Sequence, residues 1–191
     1  AYARSPDRLH FFQMTEPRVR LLDIARSIVL RGTFTLASGK TSTYYFNGKK
    51  ITLDPEGLTL LADAFLPLIP PGSDAVGGLT LGADPIAAAV SVRAFEKGLR
   101  LKPFIVRKEA KDHGTKSLIE GNLTPGSRCV VVEDVVTTGG SSLKAIKALE
   151  GEGHKVVAVL TMVDRQEGGT QALAKWGLKS LFTPLDLGVE A

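Results

Sequence analysis

Glu133 and Asp134 stand side by side, and shortly after them the chain reads Thr137-Thr138-Gly139-Gly140-Ser141. Paired carboxylates can hold hydroxyl groups or a developing positive centre. Small and hydroxyl residues ahead of a helix leave backbone N–H groups exposed, and these unpaired donors, with the positive end of the helix dipole, favour an anion such as phosphate. A polyol phosphate would satisfy both halves. The elements that must present these groups are legible in the same run. Cys129-Val130-Val131-Val132 has the pattern of a strand buried on both faces, and Leu143, Ile146 and Leu149 recur at helical spacing beyond the turn. The acids therefore fall at the C-terminal end of a strand, the edge where open α/β sheets bind ligands. The turn is neither the dinucleotide fingerprint with three spaced glycines nor the phosphate loop ending in Gly-Lys-Ser/Thr. An ordinary strand–turn–helix with incidental acids is the competing reading, and the unbroken run weighs against it.

Bulk properties narrow the setting. The 191 residues are 43% hydrophobic and 23% charged, enough for one domain with a full core and unlike a disordered or a membrane class. A net charge of +4 suits an anionic small substrate as readily as nucleic acid. Cys129 is the single cysteine; it excludes an intrachain disulfide and, inside an apolar strand, reads as a structural thiol in a reducing compartment. No apolar run reaches the roughly 18 residues of a membrane span, and Ala1-Tyr2-Ala3-Arg4-Ser5 lacks a signal-peptide core. A soluble, cytoplasmic protein without membrane or nucleic-acid partners is expected. The three histidines show no metal-ligand spacing, and no nucleophile elbow is present.

Taken in order, residues 1–14 carry no periodicity, and Phe11-Phe12 are expected to tuck an N-terminal arm onto the body. Thr15 reads as an N-cap, with Pro17 in the first turn and an apolar stripe from Leu21 to Val29. Phe34-Thr35-Leu36 and Ser42 to Phe46 are β-type runs, and Asn47-Gly48 before Lys49 to Leu53 is a two-residue hairpin signal. Asp54-Pro55 opens a second helix that stops at Pro70-Pro71-Gly72. Strand, turn and helix then repeat. Ala75 to Gly78 is a strand, Asp84-Pro85 caps a helix Ile86 to Glu96, and Pro103 to Val106 is the next strand. After the opening motif come a strand Lys155 to Val163, a short helix Gln171 to Trp176 and a strand Leu178 to Phe182. Alternating βα units predict a parallel sheet flanked by helices. The fold class is α/β, a single domain with a small helix-plus-antiparallel-hairpin hood of about residues 1–53 and a core of about 54–191.

Three further constellations bear chemistry. Arg107-Lys108-Glu109-Ala110-Lys111-Asp112-His113-Gly114-Thr115-Lys116 gathers four cations and a histidine in a long connection, which is either a solvated polar loop or a lid that closes cations over a polyphosphate. Ser38-Gly39 and the aromatics Tyr44-Tyr45-Phe46 are either a flat slot for a planar ring or hairpin core residues. Arg165, in Asp164-Arg165-Gln166-Glu167 after a strand, is either a surface ion pair or a two-pronged holder for a carboxylate.

The run from Arg128 to Ser142 resembles the ribose-phosphate motif of the type I phosphoribosyltransferases, and Arg107-Lys108-x-x-Lys111-Asp112-His113-Gly114 resembles the catalytic loop of the orotate-specific members. Phe34 to Asn47 is similar to their hood, with Ala37 where some members carry lysine. Gly77 to Pro85 is similar to their pyrophosphate loop, here without lysine. The resemblance spans most of the chain and implies transfer of a phosphoribosyl group from phosphoribosyl pyrophosphate (PRPP) to orotate, in pyrimidine synthesis. Glu133, Asp134, Lys111 and His113 would be catalytic. Arg107, Lys108, Lys111, His113, Glu133, Asp134 and Val135, Val136, Thr137, Thr138, Gly139, Gly140, Ser141 would bind PRPP. Tyr45, Phe46, Thr137 and Arg165 would bind orotate. Mg²⁺ would ride on PRPP without direct protein ligands, and the lid would act across a homodimer interface. A phosphoribosyltransferase for another base and a nonenzymatic regulator on the same fold are the alternatives; the lid cations argue for catalysis.

Overall fold

The computed structural model describes residues 17–35, 41–109 and 117–190. In chain order these form α1 (Pro17–Ser27), β1 (Leu30–Thr35), β2 (Thr41–Tyr45), α2 (Lys49–Thr52), α3 (Pro55–Phe65), β3 (Ala75–Leu79), α4 (Ala83–Glu96), β4 (Lys102–Val106), β5 (Ile119–Gly121), β6 (Arg128–Val136), α5 (Gly140–Gly151), β7 (Lys155–Asp164), α6 (Gly169–Ala172) and β8 (Leu178–Phe182). The main sheet has the order β5-β4-β3-β6-β7-β8, parallel throughout except for β5, which runs antiparallel along β4. The chain moves outward from β3 to β4 and then crosses back to place β6 on the other side of β3. That reversal opens a crevice at the C-terminal ends of β3 and β6, the topological switch point of an open α/β sheet.

Burial follows the strand pleat. Val130 and Val132 of β6 join a cluster with α3 and α4, including Leu61, Phe65, Ile86 and Val90. Cys129 and Val131 face the other way, toward Phe104, Val159 and the α5 residues Ile146 and Leu149. The apolar run is therefore buried on both faces, as its composition predicted. Leu21 and Ala25 of α1 belong to the first cluster, so the N-terminal helix packs onto the body. The chain end is also bound to the N-terminal segment: Arg18, Arg26 and Arg31 donate to the carbonyls of Leu181, Asp186 and Gly188 at 2.9, 2.8 and 2.7 Å.

Several expectations are corrected. Asn47-Gly48 is not a hairpin turn: β2 pairs with the preceding β1, matching Leu30 to Tyr45 and Phe34 to Ser42. Gly48 adopts a right-handed φ of −54°, whereas the expected turn needs positive φ. The Asn47 carboxamide accepts from the Lys49 N–H at 3.2 Å and opens the short helix α2 instead. Asp84 does not cap its helix, which begins at Ala83; its carboxylate accepts from the Thr80 hydroxyl at 2.7 Å. β6 continues through both acids to Val136, and the expected helix Gln171 to Trp176 is α6 followed by a 3-10 turn at Ala174–Trp176. β5 lies in the polar stretch Lys108 to Asn122, which reads as a connection without secondary structure of its own. Thr15 and Phe11-Phe12 lie outside the described residues.

Asp54 does cap α3, accepting from the Gly57 N–H at 2.8 Å with Pro55 in the first turn. Asp54→Ala is expected to cost about 1 kcal/mol of stability, read as a lowered midpoint in urea with an unchanged slope.

Candidate active site

Glu133 and Asp134 are 6% and 7% exposed, near the C-terminal end of β6. Consecutive strand residues point to opposite faces, yet both carboxyl groups crowd the same glycine. A Cβ on Gly82, just ahead of α4, would lie 2.6 Å from Glu133 Oε1 and 2.9 Å from Asp134 Oδ1. Gly48 crowds Asp134 from another side, where a Cβ would sit 2.9 Å from Oδ2. Only glycine lets the backbone come this close to the pair. Asp134 Oδ1 accepts from the Val135 N–H at 3.0 Å, and the half-exposed Lys49 ammonium lies 3.6 Å from Oδ2. Burial, reinforced by the neighbouring Asp134 charge, pushes the Glu133 carboxyl up to about 8.

The turn after β6 forms an open cradle. Gly139, left-handed at φ 82°, stands at the N-cap of α5 with no side-chain cap, so the first-turn N–H groups have no side chain bonded to them there. Glu133, Val135, Val136, Thr137, Gly139 and Ser141 line the space in front of them. The segment after β7 supports the cradle from behind. The Arg165 N–H donates to the Val136 carbonyl at 2.9 Å, and a Cβ on Gly169 would collide with the Val136 side chain and lie 2.8 Å from the Thr137 carbonyl.

Arg165 is 6% exposed. Its Nε donates to Glu167 Oε1 at 2.7 Å, its Nη2 donates to Ser42 Oγ at 3.0 Å, and its guanidinium lies 4.4 Å from the centre of the Tyr44 ring. Asp164 shapes the loop by accepting from the Gln166 N–H at 2.8 Å and the Thr170 hydroxyl at 2.6 Å. β6 and β7 pair with Val136 opposite Asp164, so Arg165 and Thr137 emerge together.

The structure thus brings Glu133, Asp134, Val135, Val136, the turn 137–141 and Arg165 to one sheet edge. Tyr45 is 41% exposed and packs against Phe34 with ring centres 5.7 Å apart, while Phe46 is buried in the core. Arg107 begins the long connection with its N–H bonded to the Leu118 carbonyl at 2.8 Å and its guanidinium 3.5 Å from Glu120; Lys108 is exposed. Lys111 and His113 lie outside the described residues, as do Ala37 and Ser38. Ser42, Tyr44 and Glu167 were not singled out as contacts of Arg165. The alternation along β2, with Ser42 and Tyr44 turned inward and Tyr45 outward, was the available signal. Among the described residues no group of three or more His, Cys, Asp or Glu could hold a metal ion. Burial pushes the Cys129 thiol up to about 12, as suits a structural role.

A family model for the phosphoribosyl transferase domain matches residues 69–178. The chain is 47% identical over 174 residues to the orotate phosphoribosyltransferase of Nostoc sp., covering 89% of this chain and 84% of that protein. It is 52% identical over 152 residues to the orotate phosphoribosyltransferase of Aquifex aeolicus, covering 78% and 83%. It superposes with a TM-score of 0.76 and 35% identity on the Mycobacterium tuberculosis orotate phosphoribosyltransferase in complex with PRPP, covering 91% of this chain and 99% of that one.

Because the Glu133 carboxyl titrates higher in the folded chain than its unfolded value of 4.5, its contribution to stability is fully present below 4.5 and is lost progressively as pH rises from there to about 8. Glu133→Gln is expected to flatten this slope and to exceed the parent's stability above that pH by at least about 1 kcal/mol, measured by urea unfolding in buffers from acidic to alkaline.

Proposed function

The chain belongs to the orotate phosphoribosyltransferases, and from that premise we propose how its residues move the 5-phosphoribosyl group from PRPP to orotate, giving orotidine 5′-monophosphate and pyrophosphate in pyrimidine synthesis. One observation carries the account: a carboxyl pair, an uncapped helix start and a buried arginine meet at the C-terminal ends of adjacent parallel strands. A ribose 5-phosphate joined to a carboxylate-bearing base presents the matching groups in the same order.

In this reading the N–H groups of the turn Thr137 to Ser141 hold the 5′-phosphate. The ribose hydroxyls lie on Glu133 and Asp134. The bond between the anomeric carbon and the pyrophosphate oxygen breaks as a ring nitrogen of orotate attacks that carbon; the electron pair leaves with pyrophosphate, and the ring nitrogen gives up its proton to solvent. The ribosyl centre gains oxocarbenium character in between, so fixed negative charge beneath it and cations around the leaving group lower the barrier. Asp134 supplies the first, and its neighbour Glu133, protonated below about pH 8, holds the ribose hydroxyls beside it. Arg107 and Lys108, with Lys111 and His113 arriving on the lid, supply the second. Arg165 takes the orotate carboxylate in a two-pronged pair, with Tyr45, Phe46 and Thr137 beside the base.

The Glu133 and Asp134 carboxyls lie close together but are too few to cage an ion, which fits Mg²⁺ riding on PRPP with its ligands drawn from substrate oxygens and water. When bound, the ion neutralises charge on the diphosphate. The lysine-free loop Gly77 to Pro85 leaves its backbone N–H groups as the contacts on that side. The chain is read as a single domain, with a hood of about residues 1–53 on a core of about 54–191, working as a cytoplasmic homodimer whose lid closes over the neighbour's site. No described helix is long and apolar enough to cross a membrane.

Orotate consumption followed in the ultraviolet should require PRPP and Mg²⁺, cease on chelation and return when the ion is restored, with no turnover of adenine. Lys111→Ala should lower kcat by about 100-fold or more while leaving PRPP affinity within a few-fold; an unchanged kcat would remove Lys111 from the reaction.

A further inference from the structure

A guanidinium presents five N–H donors in a fixed plane. On Arg165 the Nε–H is taken by Glu167 at 2.7 Å and an Nη2–H by Ser42 at 3.0 Å. These two donors lie along the same long edge of the plane, so that edge is filled. Tyr44 covers one face at 4.4 Å. The donors left over are those of Nη1 and the second N–H of Nη2, the end-on fork that matches the two oxygens of a carboxylate. Among the described residues no hydrogen bond is made by Nη1.

The partners are themselves fixed. Ser42 Oγ donates its one proton to the Tyr44 carbonyl at 2.7 Å, which leaves its lone pairs to accept from Arg165. Tyr44 is 2% exposed and belongs to the main core cluster, so its ring cannot swing away from the arginine without opening that core. Glu167 reaches back across two residues around Gln166, whose φ of 59° turns the chain to bring the carboxylate home. A cation that is 6% exposed would otherwise relocate toward water, because a buried charge needs a partner.

We propose that Ser42, Tyr44 and Glu167 are positioning residues that fill one edge and one face of the Arg165 guanidinium and so reserve its end-on fork for the carboxylate of the incoming base. This deepens the reading of Arg165 given above and rests on it. It also makes orotate recognition a joint property of the hairpin and the core, since Ser42 and Tyr44 lie on β2 whereas Arg165 and Glu167 follow β7.

The test compares steady-state constants for both substrates, with melting temperatures, across a small set of variants. Glu167→Ala should raise the KM for orotate about tenfold or more, with kcat changed less and the KM for PRPP within about twofold. Glu167→Gln keeps an acceptor oxygen and should restore the orotate KM. Tyr44→Phe keeps the ring and should behave like the parent, whereas Tyr44→Leu should raise the orotate KM. Arg165→Ala separates the two levels. An unchanged orotate KM in Arg165→Ala overturns the carboxylate assignment itself. A raised KM there, with parental values in Glu167→Ala and Tyr44→Leu, overturns the positioning role alone. Equal rises in both substrates' KM with a lowered melting temperature in Glu167→Ala would mark a merely structural residue and also overturn it.

Discussion

Two adjacent carboxyl groups buried at the edge of a parallel sheet set the terms for this structure. Burying charge is costly unless it is neutralised or paired. Glu133 is held protonated up to about pH 8, whereas Asp134 has the Val135 N–H and, more loosely, the exposed ammonium of Lys49. A sheet edge built this way has spare acceptors but little room. The backbone on either side must therefore be glycine, and Gly48 and Gly82 approach to distances that a methyl group would forbid. Glycine at these two places lets the short helix α2 and the start of α4 stand close against the acids between them.

The rest of the site is hung from the same strand. β6 and β7 are in register up to Val136 and Asp164, so whatever follows one must meet whatever follows the other. The glycine-rich turn and the arginine are the two things that follow. The bond from the Arg165 N–H to the Val136 carbonyl joins them, and Gly169 and Leu173 pack under the turn from the far side. A cradle of first-turn N–H groups without a side-chain cap has little to define it, so this backing gives it a shape.

The hairpin forms the remaining wall with little apolar burial of its own. β1 contains no fully buried residue, and β2 contributes Tyr44. What fastens this wall is polar and distant in sequence: Arg31 to the carbonyl of Gly188, and Arg165 to Ser42.

The βα alternation was legible in the sequence because each element carries a local signature: β-branched runs buried on both faces, the Asp54 cap ahead of Pro55, and the helical stripe after Gly140. The acid pair and the glycine-rich turn after it were legible because they are contiguous. Asn47-Gly48 misled because the same dipeptide serves a hairpin or a helix start, and contact with Asp134 favours the second. β5 was not legible because Ile119-Glu120-Gly121 is only three residues long at the sheet's edge, too short to show an alternation. The sequence by itself determined the kinds of group at the site and the strand that bears the acids, since those depend on residue type and short-range spacing. Only the tertiary structure decided that Tyr44 rather than Tyr45 lies against Arg165, that Glu167 and Ser42 share one edge of its guanidinium, and that two glycines far apart in the chain close on one carboxylate. Contacts across 123 residues, as between Ser42 and Arg165, are set by strand register and packing, which no local pattern encodes.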